Sequence, residues 1–297
     1  MPSYRDLWYQ SSDGLRLYAR DYPCRGTNSE TPATVLCMHG LTRNSADFAG
    51  LAEHLSGHYR VLAVDQRGRG RSDYDRTSSN YTPLIYVQDM FTLLDQLQVG
   101  EVILIGTSMG GLMSLIMAAM QPARIRAIVL NDIGPEVDRR GLDRIKSYVG
   151  RSKPVANWDE AVAQVRAIAE VAFPDFTDQE WRDFARDVYR EENGVPVLAY
   201  DPAIAQPMAE ADSGAVPDDL WQLFDKVSSI PMLVVRGEHS DILSRDCVGQ
   251  MRLKNSDLQV AEVPRRGHAP TLNEPVSREA IAAFFAGLGK SYSIISN

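Results

Sequence analysis

Short apolar runs that alternate with helix-spaced segments constrain this chain more than any other feature in it. Residues 33–38, 61–64, 102–105 and 125–130 are such runs, each brief and rich in β-branched side chains. Runs of this kind suit strands buried on both faces of a parallel sheet. Between them, residues 48–55, 86–97 and 110–120 read as helices, most clearly where Val87, Met90, Phe91, Leu94 and Leu97 fall at helical spacing. Strand and helix in alternation predict an α/β sheet. Asp13-Gly14, between the runs at 7–10 and 15–20, predicts a hairpin ahead of it. At 297 residues the chain can hold a large core and an inserted subdomain as well.

The pattern changes near Pro135. From 135 to 226 the periodicity is helical, without convincing strands, and prolines punctuate it. Helices are expected at 158–171 and 177–189, the second opened by a capping box of Thr177 and Glu180. Strand signals return at 232–236 and 258–263, a helix at 277–288 follows, and the tail at 290–297 is expected to fray. The expected organisation is a core domain of residues 1–134 and 227–297, with 135–226 as a helical cap. Such a cap would sit over the C-terminal edge of the sheet, where open α/β sheets bind ligands.

Composition excludes several function classes. Hydrophobic residues make up 44% and charged residues 24%, ordinary for a globular enzyme. A formal net charge of −8 repels polyanions, so neither nucleic acid nor an anionic membrane is an expected partner. Three cysteines, Cys24, Cys37 and Cys247, show no CxxC spacing, so neither a disulfide framework nor a metal site is expected. The residues at the N-terminus read as charged rather than as a signal peptide, and no apolar run is long enough for a membrane span. The expectation is a cytoplasmic protein, monomeric or homodimeric.

The chemistry centres on Gly106-Thr107-Ser108-Met109-Gly110, placed between a strand and a helix. A nucleophile on so sharp a turn needs neighbours without Cβ bulk, and two glycines supply that. Serine is a poor nucleophile without a base. Of the five histidines, His54 and His58 flank a surface helix and His39 opens a loop. His268 follows the last strand and returns to the same sheet edge as Ser108, so it is the candidate base. Asp241 follows the strand at 232–236 and is favoured as the acid that orients the imidazole. Asp132, which ends the strand at 125–130, is its rival, and Glu238 is a weaker one. The backbone N–H groups of Met109 and Leu41 are the candidate oxyanion donors. Arg43 is a candidate contact for an acidic substrate group, with a loop-bracing ion pair as the alternative. The arginine-rich stretch Asp65–Asp73 lacks a phosphate-loop ending and reads as a structural turn.

These landmarks together resemble the α/β-hydrolase superfamily over nearly the whole chain. They are His39-Gly40, the turn at 65–72, Gly106–Gly111, Asp241 and Gly267-His268. The stretches 39–44 and 131–136 are similar to those of 3-oxoadipate enol-lactonases and small carboxylesterases. The resemblance implies an α/β-hydrolase fold, with a mostly parallel central sheet flanked by helices and a helical cap insertion. It also implies cofactor-independent cleavage of a small-molecule ester or lactone through an acyl-enzyme. Two alternatives stand beside it: a hydrolase of carbon–carbon bonds in ring-fission products, and a slow-turnover small-molecule receptor on the same fold.

Overall fold

Val35, Leu36, Cys37 and Met38 are all fully buried, as expected of an apolar run inside a sheet covered on both faces. The computed structural model describes residues 3–26, 32–207 and 220–291, and the tail expected to fray lies mostly outside them. The strands are β1 (Arg5–Gln10), β2 (Arg16–Tyr22), β3 (Thr34–Met38), β4 (Arg60–Asp65), β5 (Val102–Thr107), β6 (Ile125–Asn131), β7 (Tyr189–Glu192), β8 (Val195–Leu198), β9 (Met232–Gly237) and β10 (Gln259–Val263). Eight of them form one sheet in the order β1-β2-β4-β3-β5-β6-β9-β10. The β1–β2 and β2–β4 pairs are antiparallel, and every other pair in this sheet is parallel.

Alternation along the strands builds two cores. Leu36 and Met38 face one side and Val35 and Cys37 the other. The first side is covered by α2 (Pro83–Gln96), α3 (Met109–Met120) and α8 (Arg245–Lys254). The second is covered by α1 (Ala49–Leu55) and α9 (Pro275–Ser291), through Leu51, Leu55, Ile281 and Phe284.

Between β6 and β9 the chain forms α4 (Arg139–Tyr148), α5 (Trp158–Ala169), α6 (Asp178–Val188), the β7–β8 hairpin and α7 (Leu220–Val227). The Thr177–Glu180 capping box forms as expected at the start of α6. Phe173, Phe176, Trp181 and Phe184 pack on one another into a separate small core. Two features differ from the expectation of a purely helical cap. The hairpin closes on Asn193-Gly194, both at positive φ, the residue pair that a tight two-residue turn favours. In addition, α7 places Leu220, Phe224 and Val227 in the core cluster that α3 also builds. Among the described residues, no helix is long and apolar enough to cross a membrane.

The arginine-rich turn after β4 is consumed within the fold. Arg67, 1% exposed, bonds Asp89, Asp13 and Asp75. Arg69 bonds the Leu41 and Arg67 carbonyls and the Tyr86 hydroxyl. Asp65 accepts the N–H groups of Ser45 and Arg71.

Candidate active site

Strand β5 delivers its chain to Ser108, which takes φ 52° and ψ −114° before α3 begins. This is strained backbone for a residue with a Cβ. The turn is possible because its neighbours are bare. A Cβ on Gly106 would strike the Gly110 carbonyl, and one on Gly110 would strike the Met38 carbonyl. The Ser108 N–H is tied to the Asn131 carbonyl at 3.0 Å, which fixes the elbow against β6.

His268 lies in the loop between β10 and α9 and bridges two groups. Its Nε2 stands 2.9 Å from Ser108 Oγ and its Nδ1 stands 2.8 Å from Asp132 Oδ2. Asp132 is fully buried at the end of β6. Its other contacts hold it in place: the Gly237 N–H donates to Oδ1 at 2.8 Å and the Ser240 hydroxyl to Oδ2 at 2.6 Å. Asn131 braces the same edge by donating to Thr107 Oγ1 and to the Pro270 carbonyl.

The favoured partner of His268 in the sequence was Asp241, and the geometry corrects this. Asp241 is gripped by Arg144 of α4, with N–O distances of 2.6 and 2.8 Å. Burial alone would raise the Asp241 carboxyl, and the Arg144 guanidinium holds it below its usual range. The ion pair occupies both its oxygens. Glu238, the weaker rival, accepts the Arg265 N–H. Sequence reading missed two residues that matter here, Ser240 and Arg144. Neither carries a motif; each is recruited by the fold.

Gly40 packs beside the elbow, where a Cβ would lie 3.8 Å from Ser108 Cβ. The peptide joining Gly40 to Leu41 is held by His39. Gln66 N–H donates to His39 Nε2 at 3.0 Å, so Nε2 is unprotonated and Nδ1 carries the hydrogen. Nδ1 donates it to the Gly40 carbonyl at 2.6 Å. That bond orients the same peptide plane whose N–H belongs to Leu41. The Met109 N–H is in the first turn of α3 and has no intrahelical acceptor. Leu41 and Met109 both line a cavity together with Ser108.

Complete burial lowers the His39 pKa to about 3, from an ordinary value near 6.5. The unfolded chain takes up that proton below about pH 6.5 and the folded chain does not. The contribution of His39 to stability is thus complete above pH 6.5 and lost as pH falls toward 3. Asp187 acts in the opposite direction: burial, reinforced by Asp47 and opposed by Arg43, pushes it up to about 6. Its shift is the smaller. Between pH 6.5 and 4 the wild-type protein should therefore lose more unfolding free energy, or gain less, than His39→Gln, the other titrating groups being common to both. Urea titrations at successive pH values measure both slopes, and equal slopes would refute the buried neutral imidazole.

A cavity of about 380 Å³ opens over Ser108, walled by His268 and Thr271 from the core and by Tyr148, Gln164 and Tyr189 from the insertion. Phe173 and Phe184 face it while also packing the insertion's own core. Arg43 and Arg144 both border it. Arg43 pairs with Asp47, stacks on Phe184 and leaves its Nη1 buried with no hydrogen-bond partner among the described residues. Among the described residues, no cluster of His, Cys, Asp or Glu is arranged to hold a metal ion.

Comparison with known proteins agrees with this architecture. A family model described as the alpha/beta hydrolase fold matches residues 33–270. A 3-hydroxybutyrate-oligomer hydrolase of Cupriavidus necator is 35% identical, over 86% of this chain and 89% of that one. A 2-(acetamidomethylene)succinate hydrolase of Mesorhizobium japonicum is 32% identical, over 79% of this chain and 81% of that one. The crystal structure of an alpha/beta hydrolase from Novosphingobium aromaticivorans superposes with a TM-score of 0.89 at 40% identity, covering 96% of this chain and 99% of that one.

Proposed function

This chain belongs to the α/β-hydrolase family, and from that premise we propose that it is a serine hydrolase of small carboxylic esters, with Ser108, His268 and Asp132 as its catalytic group. The observation that carries the reading is the imidazole of His268, held between Ser108 Oγ and Asp132 at 2.9 and 2.8 Å. Ser108 Oγ attacks the ester carbonyl carbon while His268 Nε2 takes its proton. Asp132 accepts the Nδ1–H, keeps the productive tautomer and stabilises the imidazolium. The carbonyl oxygen becomes an oxyanion that accepts from the Leu41 and Met109 N–H groups. Collapse expels the alcohol, which leaves with the proton from His268. Water then attacks the acyl-serine with His268 taking its proton; the bond from the acyl carbon to Ser108 Oγ breaks, His268 returns the proton to Oγ, and the acid departs. Apart from the substrate water, each proposed step draws on side chains and backbone amides of this chain. A lactone follows the same course with its leaving group tethered.

For the substrate, the relative named as a 3-hydroxybutyrate-oligomer hydrolase favours esters of short hydroxy acids. Arg43 and Arg144 on the cavity wall suit the acid end of such a molecule. The test is to incubate the protein with the linear dimer and trimer of 3-hydroxybutyrate and follow monomer release by chromatography. In parallel it is offered 2-(acetamidomethylene)succinate and a vinylogous diketo acid. The expected result is ester cleavage at least about 100-fold faster than turnover of the other two. Decay of the diketo acid or release of acetate without ester cleavage would overturn the reading.

A further inference from the structure

Among the described residues, a second cavity meets Ser108. Beside the 380 Å³ cavity lies a second of about 100 Å³. The two share Leu41, Ser108 and Ile145 as walls. The smaller one is predominantly apolar, with Leu112, Ile133, Val137, Leu142 and Ile242 among its lining residues. Met109, the other candidate oxyanion donor, borders only the smaller cavity, and His268 borders only the larger.

This asymmetry fixes how an ester lies across the serine. The leaving oxygen must come within hydrogen-bond reach of His268 Nε2 to receive its proton. The alcohol portion therefore extends into the large cavity. The carbonyl oxygen points to the amides of Leu41 and Met109, and the remaining substituent of the carbonyl carbon is the acyl chain. We infer that the small apolar cavity is the acyl subsite and the large cavity the alcohol subsite, so that the protein selects esters of short-chain acids while tolerating bulky polar alcohols.

The inference rests on the ester-hydrolase reading and adds a size limit to it. An apolar cavity of about 150 Å³ takes up one benzene, about 25 Å³ per carbon. On that scale 100 Å³ accepts about four carbons beyond the carbonyl. Leu142 is contributed by α4, the first helix of the insertion, so the insertion as well as the core sets this limit.

The experiment uses the full chain and p-nitrophenyl esters from acetyl to decanoyl, with Ser108→Ala as the blank. The leaving group is constant, so the profile reports the acyl subsite alone. The expected kcat/KM rises by about fourfold per methylene up to butanoyl or pentanoyl, as buried methylenes contribute. It then falls at least tenfold by octanoyl. Leu142→Ala should raise the octanoyl-to-butanoyl ratio at least tenfold, and Leu142→Trp should move the optimum to acetyl. In a second series with fixed butanoyl and alcohols from methyl to triethylene glycol, kcat/KM should vary less than about threefold. A Ser108-dependent activity that keeps rising to decanoyl, or that falls steeply with alcohol size, overturns the subsite assignment and leaves the ester-hydrolase reading standing. No Ser108-dependent hydrolysis of any ester overturns both. The wild-type profiles decide the matter even if a Leu142 variant does not fold.

Discussion

Ser108→Ala should lower kcat for p-nitrophenyl butanoate by about 10⁴- to 10⁶-fold while leaving the fold intact. The size follows from what the hydroxyl does. In the proposed mechanism it is the atom that becomes acylated. On the same proposal a residual rate above water should survive, because the variant keeps the Leu41 and Met109 amides assigned to the oxyanion. Thermal stability should change little. Alanine meets the same φ of 52° that serine does, and the surrounding contacts are made by Gly106, Gly110 and the backbone. Among the described residues, the side-chain bond lost is the one to His268, at 2.9 Å. Kinetics, a melting curve and mass spectrometry check the prediction together. A fluorophosphonate should add one adduct to the wild-type chain and none to Ser108→Ala. A loss of less than about tenfold, or labelling of the variant, would remove Ser108 from the centre of the chemistry.

What the sequence made legible here is local. Ser108, Gly106 and Gly110 are readable because a sharp strand-to-helix turn admits few residue types. The strands of the core are readable because burial on both faces demands short apolar runs. The β7–β8 hairpin was legible too, through Asn193-Gly194, but the helical periodicity around it masked the signal. The acid was a harder matter. Strands β6 and β9 are adjacent and parallel, with Asn131 level with Val235. Asp132 and Asp241 therefore emerge at one edge, close together, and the order serine, aspartate, histidine along the chain fits both. The deciding contacts come from far along the chain: Ser240 secures Asp132, and Arg144, 97 residues before Asp241, occupies the rival. No periodicity or motif encodes a pairing between an insertion helix and a core loop. Substrate preference escapes the sequence for the same reason, since Leu142 and Ile145 on α4 and Gln164 on α5 line cavities whose shape depends on how the insertion packs.

Comparison of two isosteric variants separates the carboxylates. Asp132→Asn should reduce kcat by about 10³- to 10⁴-fold, with KM nearly unchanged. The amide cannot accept from His268 Nδ1 unless it turns its oxygen there, and then its NH₂ faces the Gly237 N–H, a donor against a donor. The alternative orientation presents the NH₂ to His268 and favours the tautomer with Nε2 protonated, which cannot take the serine proton. Either way the imidazole loses the negative charge that stabilises its protonated form. Asp241→Asn should behave differently. It leaves the bond between His268 and Asp132 in place and weakens the hold on Arg144, a residue of the cavity wall. The expected effect is a change of less than about tenfold, seen in KM more than in kcat. Because both pairs sit at the same sheet edge, the comparison is internally controlled for any general disturbance of that edge. A larger loss of kcat in Asp241→Asn than in Asp132→Asn would remove Asp132 from the role of acid and return it to Asp241.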